Sequence, residues 1–369
     1  MESKPIQFCD TTTVLTYMEA NFRFNLALKI PSIRKAEKAA PLVINRLELH
    51  DNRLIVNDTE YKMKVYRECQ TGGWSSDEVD YDFDGKGFQI SLDESIQPGD
   101  VLFFYDGNEH RQRKWLAHDC PEIKSSLPCN HYIRLYVAGS MYELPYKSMK
   151  IYQLMKRLLT MFIGNRRGEW IIKDFRPQNN VLRWPVDTRK PIVRNFDIGT
   201  YRHNKIDGLQ PIIDTSVPIP ILKMRATSIT IEDHPLLKNV EHLMISNHLF
   251  TYDFSDLFSI QTPNVTLTTP APLDKFTLGR LISKLMEKPR PIGVRYSILV
   301  RKKMNLNQYN HPAEIRKYKD AIRLAMGNEA VAVVRSMKLA MGNEAIVVVQ
   351  YTTMNSKIWL NVETVPKKK

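Results

Sequence analysis

Met149-Lys-Ile-Tyr-Gln-Leu-Met-Lys-Arg-Leu-Leu-Thr-Met-Phe-Ile163, followed at once by Glu169-Trp-Ile-Ile-Lys-Asp-Phe175, is the stretch on which the fold turns. Ile151, Leu154, Met155, Leu158, Leu159 and Phe162 recur at i, i+3, i+4 and i+7, which predicts an amphipathic helix over 149–163. Ser148 can cap its start and Gly164 can end it, while Lys150, Gln153, Lys156 and Arg157 fill the opposite face. Glu169–Phe175 then reads as a strand, so one helical layer and one sheet meet here.

Toward the C-terminus, residues 176–220 carry Pro177, Pro185, Pro191, Pro211, Pro218 and Pro220 and read as a segment that links or wraps. Ser228–Ile231, Val240–Ile245, Val265–Thr268 and Val294–Val300 read as strands, with helices over Lys275–Glu287 and Pro312–Arg323. Strands that return after such intervals predict parallel pairing. Near the end, Arg323-Leu-Ala-Met-Gly-Asn-Glu-Ala330 recurs as Lys338-Leu-Ala-Met-Gly-Asn-Glu-Ala345, each copy running into a β-branched stretch. Two nearly equivalent strands are thus offered to one sheet position, and one copy is expected to pair while the other stays peripheral.

Toward the N-terminus, residues 5–42 read as three short helices, with Thr13, Asn21 and Ser32 as caps and Pro41 as the stop. The period changes to two from Leu42 to about Ile90, predicting an antiparallel sheet, with Trp74–Asp84 as a long acidic loop. Phe88–Leu92, Val101–Tyr105 and Tyr132–Val137 are further strand candidates. The expected class is α+β: a short N-terminal helical module (1–42), a β-rich middle (43–145) and a C-terminal open α/β layer of leucine-rich-repeat-like type (146–369).

In a chain of 369 residues, 43% hydrophobic and 25% charged residues exclude a disordered or collagen-like protein. No apolar run approaches the roughly 20 residues a membrane helix needs, and Met1–Pro5 has no apolar segment behind it, so an intracellular (cytoplasmic or nuclear) protein without membrane contact is expected. Lys and Arg number 53 against 40 Asp and Glu. That excess is scattered, and nucleic-acid binding through Arg113-Lys114-Trp115 and Arg183-Trp184 is the alternative reading of function. Cys9, Cys69, Cys120 and Cys129 lack the short spacing of a zinc knuckle. Asp80-Tyr-Asp82-Phe-Asp84-Gly85 begins like a calcium loop, but the place of its bidentate glutamate is held by Ser91. No nucleotide loop, nucleophile elbow, kinase or zinc-protease motif occurs, so no enzyme, metal or cofactor is expected.

The stretch Val14-Leu-Thr-Tyr-Met-Glu-Ala-Asn-Phe-Arg-Phe-Asn-Leu-Ala-Leu-Lys-Ile-Pro-Ser-Ile-Arg-Lys-Ala-Glu-Lys-Ala-Ala-Pro41 resembles the start of a large, uncharacterised nematode family. The similarity continues through Leu47–Arg67 and returns at Leu278–Ile298, notably Arg290-Pro-Ile-Gly293. Members of that family resemble F-box-type proteins, in which a small helical module docks on the Skp adaptor of a cullin ubiquitin ligase. The resemblance implies a non-enzymatic, substrate-recognising protein, with Pro5, Val14, Leu15, Leu26, Leu28 and Ile33 supplying apolar contacts to the adaptor.

Overall fold

The computed structural model describes residues 8–68, 77–83, 89–90, 93–103, 130–146, 148–200, 203–226, 234–247, 260, 262–271, 291–302, 315–316, 322–326, 330–334, 336–341 and 345–366. It is a mixed α/β chain, mostly strand, with a short helical region at its N-terminus. Two compact units divide it: Met1–Asp197 with Arg202–Asp214, and Ile198–Tyr201 with Thr215–Lys369.

The first unit opens with α1 (Phe8–Thr16), α2 (Ala20–Lys29), a 3-10 turn at Pro31–Ile33 and α3 (Arg34–Ala39). Then come β1 (Leu42–Leu49), β2 (Arg53–Val56), β3 (Thr59–Glu68), β4 (Asp77–Val79), β5 (Val101–Leu102), β6 (Asn130–Val137) and β7 (Ser140–Pro145). It continues with α4 (Ile151–Ile163), β8 (Trp170–Pro177), β9 (Val181–Leu182), β10 (Ile192–Thr200, as far as Asp197 in this unit) and α5 (His203–Leu209). The sheet order is β10-β8-β1-β2-β3-β6-β7, with β4 also on β3. β1, β8 and β10 run parallel, in the registers Leu47↔Phe175 and Phe196↔Phe175, and the remaining pairs are antiparallel. Phe175 and Phe196 stack with centroids 5.3 Å apart, and Leu42, Ile44, Trp170 and Ile172 are buried beside them.

The second unit holds β11 (Ile219–Ala226), α6 (Pro235–Lys238), β12 (Val240–Asn247), β13 (Asn264–Ala271), β14 (Arg295–Val300), β15 (Ile315–Arg316), β16 (Ile322–Met326), β17 (Ala330–Val334), β18 (Ser336–Met341), β19 (Ala345–Met354) and β20 (Lys357–Pro366). β11 to β14 pair parallel in chain order, as the strand spacing predicts, and β20, β19, β18 and β15 extend the sheet antiparallel from β14. Because side chains alternate along a strand, one face carries two apolar rows across six strands. Leu222, Leu243, Val265, Tyr296, Val362 and Val349 form the first row; Met224, Ile245, Leu267, Ile298, Leu360 and Tyr351 form the second, and all twelve are buried.

Several local expectations give way. The proline-bearing segment 176–220 is core as well as connector: it supplies β9, β10, α5 and buried Trp184, Val193, Phe196, Ile206 and Leu209. Four of its six prolines sit at strand ends (Pro177, Pro220) or just outside strands (Pro191, Pro218), where a missing N–H disturbs the ladder least. Within the acidic stretch 74–84, Asp77–Val79 is a strand paired to β3. The helix expected over Pro312–Arg323 is strand where it is described, at Ile315–Arg316 and from Ile322 onward. Of Val101–Tyr105, Val101–Leu102 is strand and Phe103 is not, while residues 104–105 lie outside the described residues. Ser228–Ile231, Lys275–Glu287 and most of Phe88–Leu92 lie outside the described residues.

Candidate functional site

The N-terminal helices carry the residues that the resemblance assigned to an adaptor. α1 begins at Phe8, so Thr13 is interior rather than a cap. The cap of α2 is Glu19, not Asn21: its carboxylate accepts a hydrogen bond from the Phe22 N–H at 3.1 Å. Asn21 is instead buried inside the helix. Its amide donates to the Val56 carbonyl at 2.8 Å and its carbonyl accepts from the Tyr61 hydroxyl at 3.2 Å. Asn57, in the β2–β3 turn at φ 54°, donates to Glu19 and accepts from the Asn45 N–H at 2.8 Å. Burial, with Glu19 nearby, pushes the Tyr61 hydroxyl up to about 12. Thus the start of α2 is bolted to a sheet hairpin.

Its inner side is fixed as well. Phe24 stacks on Phe162 of α4 at 4.7 Å, and Tyr61 meets the same ring at 5.2 Å. Around the end of α3, the buried Glu37 carboxylate gathers three cations. The Arg166 guanidinium bonds Oε1, Arg23 stands 3.3 Å from that oxygen, and the Lys38 ammonium is 3.5 Å from Oε2. One carboxylate does not neutralise three cations, so the surplus falls on backbone carbonyls at helix ends, where the helix dipole is negative. Lys38 donates to Met161 and Phe162 carbonyls at 2.6 and 2.7 Å. Arg23 donates to Pro41 at 2.5 Å and Glu37 at 3.0 Å, and Arg166 donates to Glu37 at 3.1 Å and Ala40 at 3.2 Å. Burial nevertheless lowers all three cations, Lys38 to about 8 and Arg23 to about 10.

With the helices held in this way, the six candidate contacts separate. Leu15 is 1% exposed and forms a core with Ala36 and Ala40, against which Leu26 and Ile33 pack. Val14 (48%) and Leu28 (40%) face outward. Pro5 lies outside the described residues. Three apolar side chains that the resemblance did not assign share that exposure: Tyr17 (87%), Phe22 (57%) and Ile30 (43%). A rigid helical module that shows apolar rings to water is chemically equipped for protein docking.

Other candidates are structural. Of the calcium-like motif, Asp84 lies outside the described residues, and Asp82 is committed to α4. Its carboxylate accepts from the Ile151 and Tyr152 N–H groups at 2.8 and 3.1 Å and from the Tyr146 hydroxyl at 3.2 Å. Burial raises its pKa against those hydrogen bonds. Ser148, the expected cap, donates to the Pro145 carbonyl instead. Among the described residues no group of three or more His, Cys, Asp or Glu is placed to hold a metal ion. Arg183 and Trp184 are buried, and Arg183 Nη1 donates to Asp100 at 2.5 Å, so this pair does not form a stacking surface. Arg113-Lys114-Trp115 lies outside the described residues. His234 caps α6 by accepting from the Leu236 N–H at 3.1 Å, and His242 pairs with the Thr266 hydroxyl at 2.8 Å.

Among the described residues no helix is long and apolar enough to cross a membrane. No curated protein matches the chain, and no solved structure matches it either. One family model does match: residues 150–302, from the first turn of α4 to just beyond β14 and clear of the N-terminal helices, correspond to a domain of unknown function, DUF3557.

Proposed function

We propose that this chain is a non-enzymatic protein-interaction protein whose N-terminal helices dock a protein partner. The observation that carries the reading is the outward exposure of Tyr17 and Phe22, with Val14, Leu28 and Ile30, on a module in which Asn21 ties α2 to the sheet, Glu37 ties α3 to Arg166, and α1 packs through Leu15. A large ring left in water has an unfavourable transfer free energy that a partner surface relieves. The partner we assign, on the F-box-type resemblance, is the Skp adaptor of a cullin ubiquitin ligase. The α/β remainder, layered in leucine-rich-repeat-like fashion, would then recognise the protein to be modified. The nucleic-acid reading is weaker, because Lys64, Arg134, Arg166 and Arg183 are each paired with an acid.

The test is a pull-down of the purified adaptor by the full chain, comparing wild type with Tyr17→Asp. Recovery by wild type and loss in the variant support the proposal; no recovery by either removes the adaptor from it. Leu15→Asp is the wrong probe, since Leu15 belongs to the module's own core.

A further inference from the structure

We infer that the two repeated hairpins near the C-terminus are alternative occupants of one sheet position beside β20, and that the upstream hairpin takes the place when the downstream one is displaced. The sequence supplies the equivalence: Leu324–Ala330 and Leu339–Ala345 are identical, and Val333-Val334 matches Val348-Val349. The structure supplies the geometry. β16 and β17 pair Met326↔Ala330, Leu324↔Ala332 and Ile322↔Val334. β18 and β19 pair Met341↔Ala345, Leu339↔Val347 and Met337↔Val349, the same register fifteen residues later. Yet β19 continues the large sheet through β20, while β16 and β17 form a separate two-stranded ladder.

A slip of one residue along a strand turns its side chains to the wrong face. Exchange of a whole hairpin does not, because each residue is replaced by its repeat equivalent. Val347, Val349 and Tyr351 are buried in β19, and Ala332, Val334 and Ser336 would take their places. This comparison explains the resident choice: the downstream copy fills the core with larger apolar side chains at two of the three positions. After exchange, the displaced copy would become part of a longer connection into β20, and the entropy of such a loop grows only slowly with length. The upstream hairpin is therefore a reserve for the edge of the sheet.

The test is made in the full chain by amide hydrogen exchange and by cross-linking. In wild type, the 345–349 segment should be protected about tenfold or more over 330–334, reflecting pairing in the large sheet. Val349→Asp should reverse that order, leave β20 protected, and lose all protection when combined with Val334→Asp. Retention of fast exchange at 330–334 together with loss of β20 overturns the inference. If Val349→Asp does not fold, the deciding measurement is a cysteine pair in the otherwise wild-type chain. Val347 faces Thr364, so Val347→Cys with Thr364→Cys reports the resident hairpin and Ala332→Cys with Thr364→Cys reports the exchanged one. An intrachain 332–364 bond on slow oxidation, absent from each single variant, supports the exchange. Its absence while the 347–364 bond closes overturns it, and so does a 332–364 bond that appears only between chains.

Discussion

Arg166 reaches Glu37 across 129 residues of sequence, and in doing so it ties the turn after α4 to the last helix of the N-terminal module. Both side chains are essentially without solvent contact. A separable module would meet the body through a polar, hydrated seam. Here α2 and α3 contribute to the same interior as α4 and the sheet, with Phe24 on Phe162 and Lys38 on the carbonyls that end α4. The exposed face of the module is therefore presented from a fixed base.

The first prediction concerns the sign of the charges at that seam. Glu37→Gln leaves Arg23, Lys38 and Arg166 buried without their carboxylate and should destabilise the first unit by about 3–5 kcal/mol. Lys38→Met, which removes one surplus cation and keeps its stem, should be near neutral or stabilising. Urea unfolding of both variants measures this, and a Lys38→Met variant as unstable as Glu37→Gln would refute it.

The same seam predicts an alkaline rise. Folded Lys38 releases its proton near pH 8, whereas an unfolded lysine keeps it to about 10.5. Between those values the unfolded chain binds more protons, so the contribution of this group to stability increases with pH. Tyr61 acts in the opposite sense above pH 10, because its folded pKa is raised. Unfolding curves from pH 8 to 10 should have a slope that Lys38→Met makes smaller or more negative.

On the acid side, Glu78 holds Lys64 at 2.9 Å and Arg134 at 3.0 Å and accepts from the Tyr136 hydroxyl. Partial burial alone would raise its pKa, but these partners outweigh that and hold it at about 2. Its stabilising contribution is full above the ordinary carboxylate value of about 4.5 and is lost as pH falls toward 2. Glu78→Gln should flatten the stability profile over that interval.

Asp82 should behave as a helix cap supplied from a distance. Asp82→Ala removes the acceptor for the Ile151 and Tyr152 N–H groups and should cost about 0.5–2 kcal/mol. Asp82→Asn should retain part of that. Calcium titration into the wild-type chain should leave its thermal midpoint unchanged.

How far the sequence discloses this arrangement depends on the range of the interactions. The α4 stripe is local, and Ile151–Ile163 falls within the predicted helix. Parallel pairing of β12, β13 and β14 follows from strand spacing. The caps were harder, because Asp82 lies 69 residues before the N–H it accepts, while nearby Ser148 offered a plausible substitute. Reading 176–220 as a connector hides the start of β11, because Pro218 and Pro220 stand there, although a strand tolerates proline at its start. At the candidate docking site, the resemblance implies Val14, Leu15, Leu26, Leu28 and Ile33 alike. Only packing divides them, since on helices this short both faces carry apolar residues. Arg23, Glu37 and Arg166 gave no signal, being ordinary surface residue types until the fold buries them together.

The most direct measurement of the central claim is a calorimetric titration of purified Skp adaptor into the full chain, with wild type, Phe22→Asp and the buried-core control Leu15→Met. Saturable binding by wild type and Leu15→Met, weakened at least about tenfold by Phe22→Asp (roughly 1.4 kcal/mol), is the predicted result. Equal affinity in Phe22→Asp, or no binding by the folded wild-type chain, would contradict the account.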